Sequence, residues 1–272
     1  MADPLDTINA LDASDTNRSQ LYLWQQRTLF IGRFEEPLEL AQGAATLTIS
    51  LDQPITFKTK DMSEPIHCQS LILPPGFSVT IDTQHARVAN CHLDVLGHDY
   101  YRLFSCAQNS LGVLGYALNT EVELAHCFTH MLNSKMNSRE AFTYLETQLE
   151  KSGDASLVSP STDKRILHVI ELIQNAATEN VSGEALARSV NLSIPRLAQL
   201  FKQQTGIPIR KYRLWHRLYL TAQNVGKGQS LTDAAIAAGF TDSSHFAHTF
   251  RAMLGMTPSH ILSQVKNTRI II

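Results

Sequence analysis

One pattern occurs twice in the C-terminal part of the chain, and it constrains the fold more than any other feature. Leu186-Ala187, Ser193, Leu197, Phe201-Lys202 and Gly206 recur as Ala234-Ala235, Asp242, Phe246, Phe250-Arg251 and Gly255. Each copy reads as a short apolar-periodic helix, a tight turn, a residue able to N-cap (Ser193 or Asp242), and a second helix whose core residues sit four apart. The second helices align at an offset of 49 residues and the first helices at 48, so the second turn is expected to be one residue longer, with Gly239-Phe240 at its corner. Two copies of one helix-turn-helix device imply two contacts with one repetitive polymer. Double-stranded DNA fits, because its major groove returns to the same side roughly every 34 Å and admits one helix each time.

The charge distribution separates the chain into two parts. Residues 1–159 hold 10 Lys and Arg against 19 Asp and Glu, whereas residues 160–272 hold 13 against 6. The basic part carries the repeated motif, as phosphate binding requires; the acidic part would be repelled by DNA and must serve another purpose. Four cysteines (Cys68, Cys91, Cys106 and Cys127) all lie in the acidic part without a C-x-x-C pair, which argues against zinc and against a disulfide framework. They are expected to be reduced, buried thiols. The polar, acidic start of the chain does not read as a signal peptide, and no apolar run approaches the roughly 20 residues of a membrane span, so a soluble, cytoplasmic protein with no membrane partner is expected.

Along the chain, residues 1–19 read as a loose arm rich in Asp, Asn, Ser and Thr. Residues 20–150 read as one domain. Within it, short apolar stretches separated by breakers over about 20–105 point to an antiparallel barrel or sandwich, with Pro74-Pro75-Gly76 as a turn between strands. Residues 107–150 read as helical. Leu124, Phe128 and Met131 share a face with Val122, Ala125 and Leu132, and Phe142, Leu145 and Leu149 form a second stripe. These stripes must be buried against the barrel, each other or a second copy of the chain; the last option implies a homodimer. Residues 151–162 have linker composition. Residues 163–272 then begin with an amphipathic helix bearing Ile166, Leu167, Ile170 and Ile173, and a connector helix from about Pro208 to Val225 separates the two motifs. At 1.5 Å per residue that connector spans on the order of 25 Å, comparable to the groove repeat. The terminal Ile270-Ile271-Ile272 would be an aggregation hazard if free, so it is expected to pack on the domain or on a partner.

Residues 163–264 resemble the DNA-binding domain of AraC/XylS-type transcription regulators. The likeness rests on Ser182, Glu184, Leu186-Ala187, Ser193, Leu197, Leu200-Phe201-Lys202, Gly206, Pro208, Tyr212 and Arg217 in the first half. In the second half it rests on Ala235, Gly239-Phe240, Asp242, Ser244-His245-Phe246, Phe250-Arg251, Gly255 and Pro258. The N-terminal part is similar, more loosely, to the cupin-like barrel of one branch of these regulators. The resemblance therefore implies an α+β protein: a cupin-like antiparallel β-barrel with appended helices, then an all-α domain with two helix-turn-helix motifs. It implies a sequence-specific transcription regulator, not an enzyme. Promoter DNA, RNA polymerase, a second copy and a small-molecule effector are the implied partners. The alternatives are a ligand-independent dimeric regulator and an enzyme that uses the domain for targeting. Metal-binding cupins need clustered histidines, but Phe77-Ser78 follows the Pro-Gly turn, and His67, His85, His92 and His98 form no H-x-H pair; no metal and no cofactor are expected.

On the first recognition helix the family's reading positions fall on Pro195, Ala198 and Gln199. Arg196 can pair with guanine and Gln199 with adenine, while Pro195 and Ala198 can contact a thymine methyl. On the second, His248 occupies a reading position, and Ser243, Ser244 and His245 are candidates for flanking contacts. Lys202 and Arg251 are expected to pair with phosphate, with Arg210, Lys211 and Arg213 on the connector as further cations, and Arg217 as a structural tie.

Overall fold

The computed structural model describes residues 19–41, 44–94, 96, 98–153, 162–176, 181–254, 258 and 268–271. Most of the expected arm (1–19) and of the expected linker (151–162) lies outside them. Nine strands come first: β1 (Ser19–Leu23), β2 (Thr28–Arg33), β3 (Leu38–Ala41), β4 (Thr46–Ser50), β5 (Ile55–Lys58), β6 (Ile66–Cys68), β7 (Ser70–Leu73), β8 (Ser78–Asp82) and β9 (Arg87–His92). Helix α1 (His98–Phe104), the hairpin β10 (Ala107–Leu111) and β11 (Leu114–Leu118), and helices α2 (Glu121–Asn133) and α3 (Ser138–Lys151) complete the first half. The second half holds α4 (Lys164–Asn175), α5 (Gly183–Ser189), α6 (Ile194–Thr205), α7 (Ile209–Gly226), α8 (Leu231–Ala237), α9 (Ser243–Leu254) and a last strand, β12 (Thr268–Ile271).

Two sheets face each other. The larger has the order β10-β11-β7-β4-β9-β2-β1-β12 and the smaller β3-β8-β5-β6. Strands that read as continuous apolar or mixed runs lie in the middle of the larger sheet, covered on both sides; β4 and β9 are buried at every position, whereas β8 alternates exposed and buried. Phe30, Leu71, Leu73 and Val88 point from the large sheet toward Phe57, Val79 and Ile81 of the small one. On the opposite face Leu29, Ile31, Leu47, Ile49, Ile72 and Cys91 meet α2 and α3 through Leu124, Phe128, Met131, Leu145 and Leu149. The helical stripes are thus buried within the subunit. Val122, expected on the α2 stripe, instead stands exposed. All four cysteines are buried and unpaired.

Two local readings change, and two short strands escape the sequence pattern. Residues 107–118 form a hairpin, not helix: Gly112 takes a positive φ of 61° at its tip, and Gln108, Asn109 and Ser110 supply no apolar stripe. The strands β3 and β6 have only four and three residues, too short to show a period. On α4 the buried side consists of Ile166, Val169, Ile170 and Ile173, with Leu167 turned outward.

Of the terminal isoleucines, Ile271 is the one whose side chain is described, and it packs on the barrel of the N-terminal half instead of on the DNA-binding domain or a partner. β12 runs parallel to β1, with Ser19 opposite Thr268 and Tyr22 opposite Ile271, and Ile271 is buried in the core shared with α2 and α3. It becomes the outer strand of the large sheet.

Candidate nucleic-acid interface

Both helix-turn-helix motifs form where the sequence places them. In the first, the Ser182 hydroxyl caps α5 by accepting from the Ala185 amide, and Ser193 caps α6 by accepting from the Arg196 amide. Between α5 and α6 stand four residues, with Asn191 in the left-handed region at φ 55°; between α8 and α9 stand five, with Gly239 at φ 92°. The extra residue is the one inferred from the unequal offsets. Asp242 accepts from the His245 amide at 2.7 Å, and those backbone and hydroxyl donors hold its carboxyl below the usual carboxylate range.

The buried side of α6 is Leu197, Leu200 and Phe201, which join α4, α5 and Tyr212 of α7 in one core. Its outer side presents Pro195, Arg196, Ala198, Gln199 and Lys202, all exposed. Arg196 Nη1 donates to Gln199 Oε1 at 2.8 Å, so the two expected base readers lie side by side on one turn. Ile194, exposed at the head of the same helix, was not singled out from the sequence; its signal was an apolar residue immediately after a cap. On α9, Ser243, Ser244, His248 and Arg251 are exposed while Phe246 is buried. His245 is half-buried, with its ring against Phe240 at 5.3 Å and its Nδ1 3.1 Å from the Thr241 hydroxyl. Geometry thus gives the His245 side chain a local structural engagement, while Ser244 and His248 stand exposed.

The connector cations divide. Arg210 is exposed, whereas Arg213 donates to the Val181 carbonyl, and partial burial pulls Lys211, Arg213 and Arg217 below their ordinary pKa. Lys211 and Arg213 are therefore less available to phosphate than their charge suggests.

A second feature lies where the halves meet, and no local sequence signal marks it. α7 crosses the open end of the sandwich, setting the Trp215 ring edge-on to His92 at 4.9 Å. Leu21, Leu23, Thr28, Phe30, Asn90 and His92 from the sheet, with Trp215, Leu218, Tyr219, Ala222 and Phe250 from α7 and α9, line a crevice of about 70 Å³. An open cleft of about 330 Å³ adjoins it through the shared Leu23 and Tyr219. Among the described residues, no Asp, Glu, Lys or Arg side chain lines the crevice. Two of its polar atoms are held: Asn90 Oδ1 accepts from the Thr48 hydroxyl at 2.9 Å, and His92 Nδ1 lies 3.2 Å from the Thr46 hydroxyl. Complete burial pushes the His92 imidazole down to about 3, so it is neutral. Among the described residues, no group of three His, Cys, Asp or Glu is placed to hold a metal ion, and no helix is long and apolar enough to cross a membrane.

Residues 186–264 match a family model described as a helix-turn-helix domain. The transcriptional activator RhaS of Escherichia fergusonii is 34% identical over 102 residues, 37% of each chain. RhaS of Pectobacterium carotovorum subsp. carotovorum is 27% identical over 152 residues, 56% of this chain and 54% of its own. The chain therefore aligns with about a third to a half of the length of these curated relatives. Across both halves the fold is similar to that of an apo ToxT variant from Vibrio cholerae, with a TM-score of 0.60 at 11% identity over 89% of this chain and 99% of that one. It is also similar to ToxT with unsaturated fatty acid bound, at a TM-score of 0.56 and 11% identity over 89% and 96% of the two chains. With the doubled motif folded as two helix-turn-helix units, transcriptional activators aligned on that half and a fold shared with ToxT across both, the C-terminal half is a helix-turn-helix domain similar to that of the AraC/XylS-type regulators it resembles in sequence.

Proposed function

We propose that this protein is a sequence-specific DNA-binding transcription regulator whose N-terminal domain receives a small, uncharged, largely apolar effector at the crevice closed by α7. The observation that carries the reading is the pair of capped recognition helices, each with a buried apolar stripe and an exposed polar face, in the basic half of the chain. Arg196 and Gln199 read base edges on the first helix, with Pro195 supplying an apolar contact; His248, Ser243, Ser244 and His245 face the second site; Lys202 and Arg251 pair with phosphate. RNA polymerase and a second copy of the chain belong to the same proposal. Since the stripes of α2 and α3 are already buried, a second copy engages their outer faces, where Val122 stands exposed. A band-shift titration of the full chain against duplexes selected from a random pool tests the DNA reading: binding should weaken steeply with salt, and salt-independent or absent binding overturns it.

The effector reading rests on the crevice. ToxT is known with an unsaturated fatty acid bound, but among the described residues no Lys or Arg lines this space to meet a carboxylate, and His92 stays neutral. Asn90 and Thr28 offer hydrogen bonds to a neutral ligand that carries one or two polar atoms. Thermal shifts across a panel of neutral apolar compounds and their carboxylate analogues test this: the neutral members should stabilise the protein. A preference for the acids overturns it. Catalysis has no support in the site, since burial pushes the thiols of Cys68, Cys91 and Cys127 up to about 12, far from the activated thiolates that group transfer needs.

A further inference from the structure

The strand β12 is not needed to complete either helix-turn-helix, yet it leaves the DNA-binding half and joins the opposite domain. Among the described residues it pairs with β1 alone, over four registered positions from Ser19–Thr268 to Tyr22–Ile271, and buries Ile271 against the core beneath α2 and α3. The same β1 supplies Leu21 and Leu23 to the crevice into which Phe250 of α9 reaches, and α9 itself rests against β3. At the other motif, Gly206 at the end of α6 abuts Pro75, and Ala44 and Leu96 of the N-terminal half enter the core of α4–α6. Each motif is thus fastened to a different part of the sandwich. Two recognition helices that must enter successive grooves on one DNA face need freedom to adjust to each other, and these attachments remove it.

From this geometry we propose that β12 is an intramolecular strap: paired with β1 it holds the second helix-turn-helix on the sandwich, and its release frees α9 for DNA. This rests on the DNA-binding function proposed above. An outer strand of four residues, paired on one side with a segment about 250 positions away, belongs to the less stable part of a fold, which suits it to reversible release. Leu21 and Leu23 join the strap's partner strand to the crevice, so an effector that shifts β1 acts on the strap directly.

Two variants of the full chain test the strap on a duplex selected by the wild-type protein. Ending the chain at Lys266 removes β12 and should tighten DNA binding by roughly 5- to 150-fold, the range of ordinary coupling between sites. Ser19→Cys with Thr268→Cys joins registered positions whose backbones lie about 4.8 Å apart, within disulfide reach. The oxidised form should bind DNA more weakly than the wild type, and reduction should restore binding in the same sample, so misfolding cannot mimic the result. Equal affinity of the truncated and complete chains, weaker binding after truncation, or no redox response of the stapled form overturns the strap while leaving the DNA-binding function intact. Failure of every form to bind any duplex overturns both.

Discussion

Replacing Gly206 by alanine should expose how tightly the first helix-turn-helix is seated on the sandwich. Gly206 ends α6 in the left-handed region at φ 76°, where its amide closes the helix on the Lys202 carbonyl. Any L side chain there costs about 1 kcal/mol from the backbone alone. A Cβ at this position would also lie 2.8 Å from Pro75 Cβ and 3.0 Å from Pro75 Cγ, and a proline ring has no rotamer by which to withdraw. Overlap of this kind costs about 1 to 3 kcal/mol when the neighbouring segment must shift, so Gly206→Ala should lose about 2 to 4 kcal/mol in total. Pro75→Gly removes the ring and leaves only the backbone part. Urea unfolding followed by circular dichroism on the four members of this cycle measures the difference directly. In the Pro75→Gly background, Gly206→Ala should cost about 1 kcal/mol, a coupling of at least 1 kcal/mol between residues 131 positions apart. A coupling below about 0.5 kcal/mol would show that the two halves do not meet at Pro75, and the docking argument would fall with it.

Other outcomes follow from single groups. His92 is neutral in the folded chain at about 3 and ordinary at 6.5 when unfolded, so the unfolded state takes up the proton first. Stability is complete above pH 6.5 and falls by about 1.4 kcal/mol per unit below it, near 2 kcal/mol by pH 5. Denaturation curves of the wild type and His92→Gln at pH 7.5 and 5 should differ by that amount, and parallel pH profiles would contradict the assignment. Arg27 and Asp99 form an ion pair at 2.8 Å with side chains only 9% and 7% exposed, so Arg27→Met strands a buried carboxylate and should cost about 3 to 5 kcal/mol, read by chemical denaturation. For DNA binding, Lys202→Ala and Arg251→Ala should each reduce the slope of log K against log salt by about 1 while sparing sequence preference, whereas Gln199→Ala should relax preference at one base pair and cost about 1 to 3 kcal/mol there. Binding-site selection and salt titrations separate the two kinds of loss.

What the sequence discloses depends on how local the determining physics is. Ser193, Leu197 and Phe201 fix α6 within a dozen residues through a cap and a four-residue spacing, and Asp242, Phe246 and Phe250 do the same for α9, so both motifs and even the unequal turns are legible. The sandwich is legible only as a class. Thr46, Thr48 and Asn90 alternate with Leu47, Ile49 and Cys91, but which set faces α2 and which faces the crevice is decided by pairing across strands that the chain does not place side by side. The hairpin at 107–118 is hidden for a related reason: Gly112 marks its tip, while its strands carry Asn109 and Ser110 where a β pattern would show valine or isoleucine. The Ile-rich end announces that it must be buried, yet nothing local to it names β1 as the partner. The crevice is the extreme case, since His92 and Trp215 meet across 123 positions of chain.

That long-range meeting determines how the two proposed activities, effector binding and DNA binding, would be joined. Trp215, Leu218, Tyr219 and Ala222, which close the crevice, all stand on α7, and α7 is also the helix whose length sets the distance between α6 and α9. Its first turns are held by Tyr212 in the core of the first motif, and its middle by Leu218 in the core of the second. A ligand entering between His92 and Trp215 must therefore push on the element that spaces the recognition helices, with no intermediate relay. The coupling has to be reciprocal: whatever factor the effector applies to DNA affinity, DNA applies to effector affinity. A substitution that fills the crevice, such as Ala222→Phe, should shift DNA affinity in the same direction as a bound effector and abolish the response to it. Unchanged DNA affinity with a full effector response would separate the crevice from the spacing of the helices, and α7 would then be a passive connector.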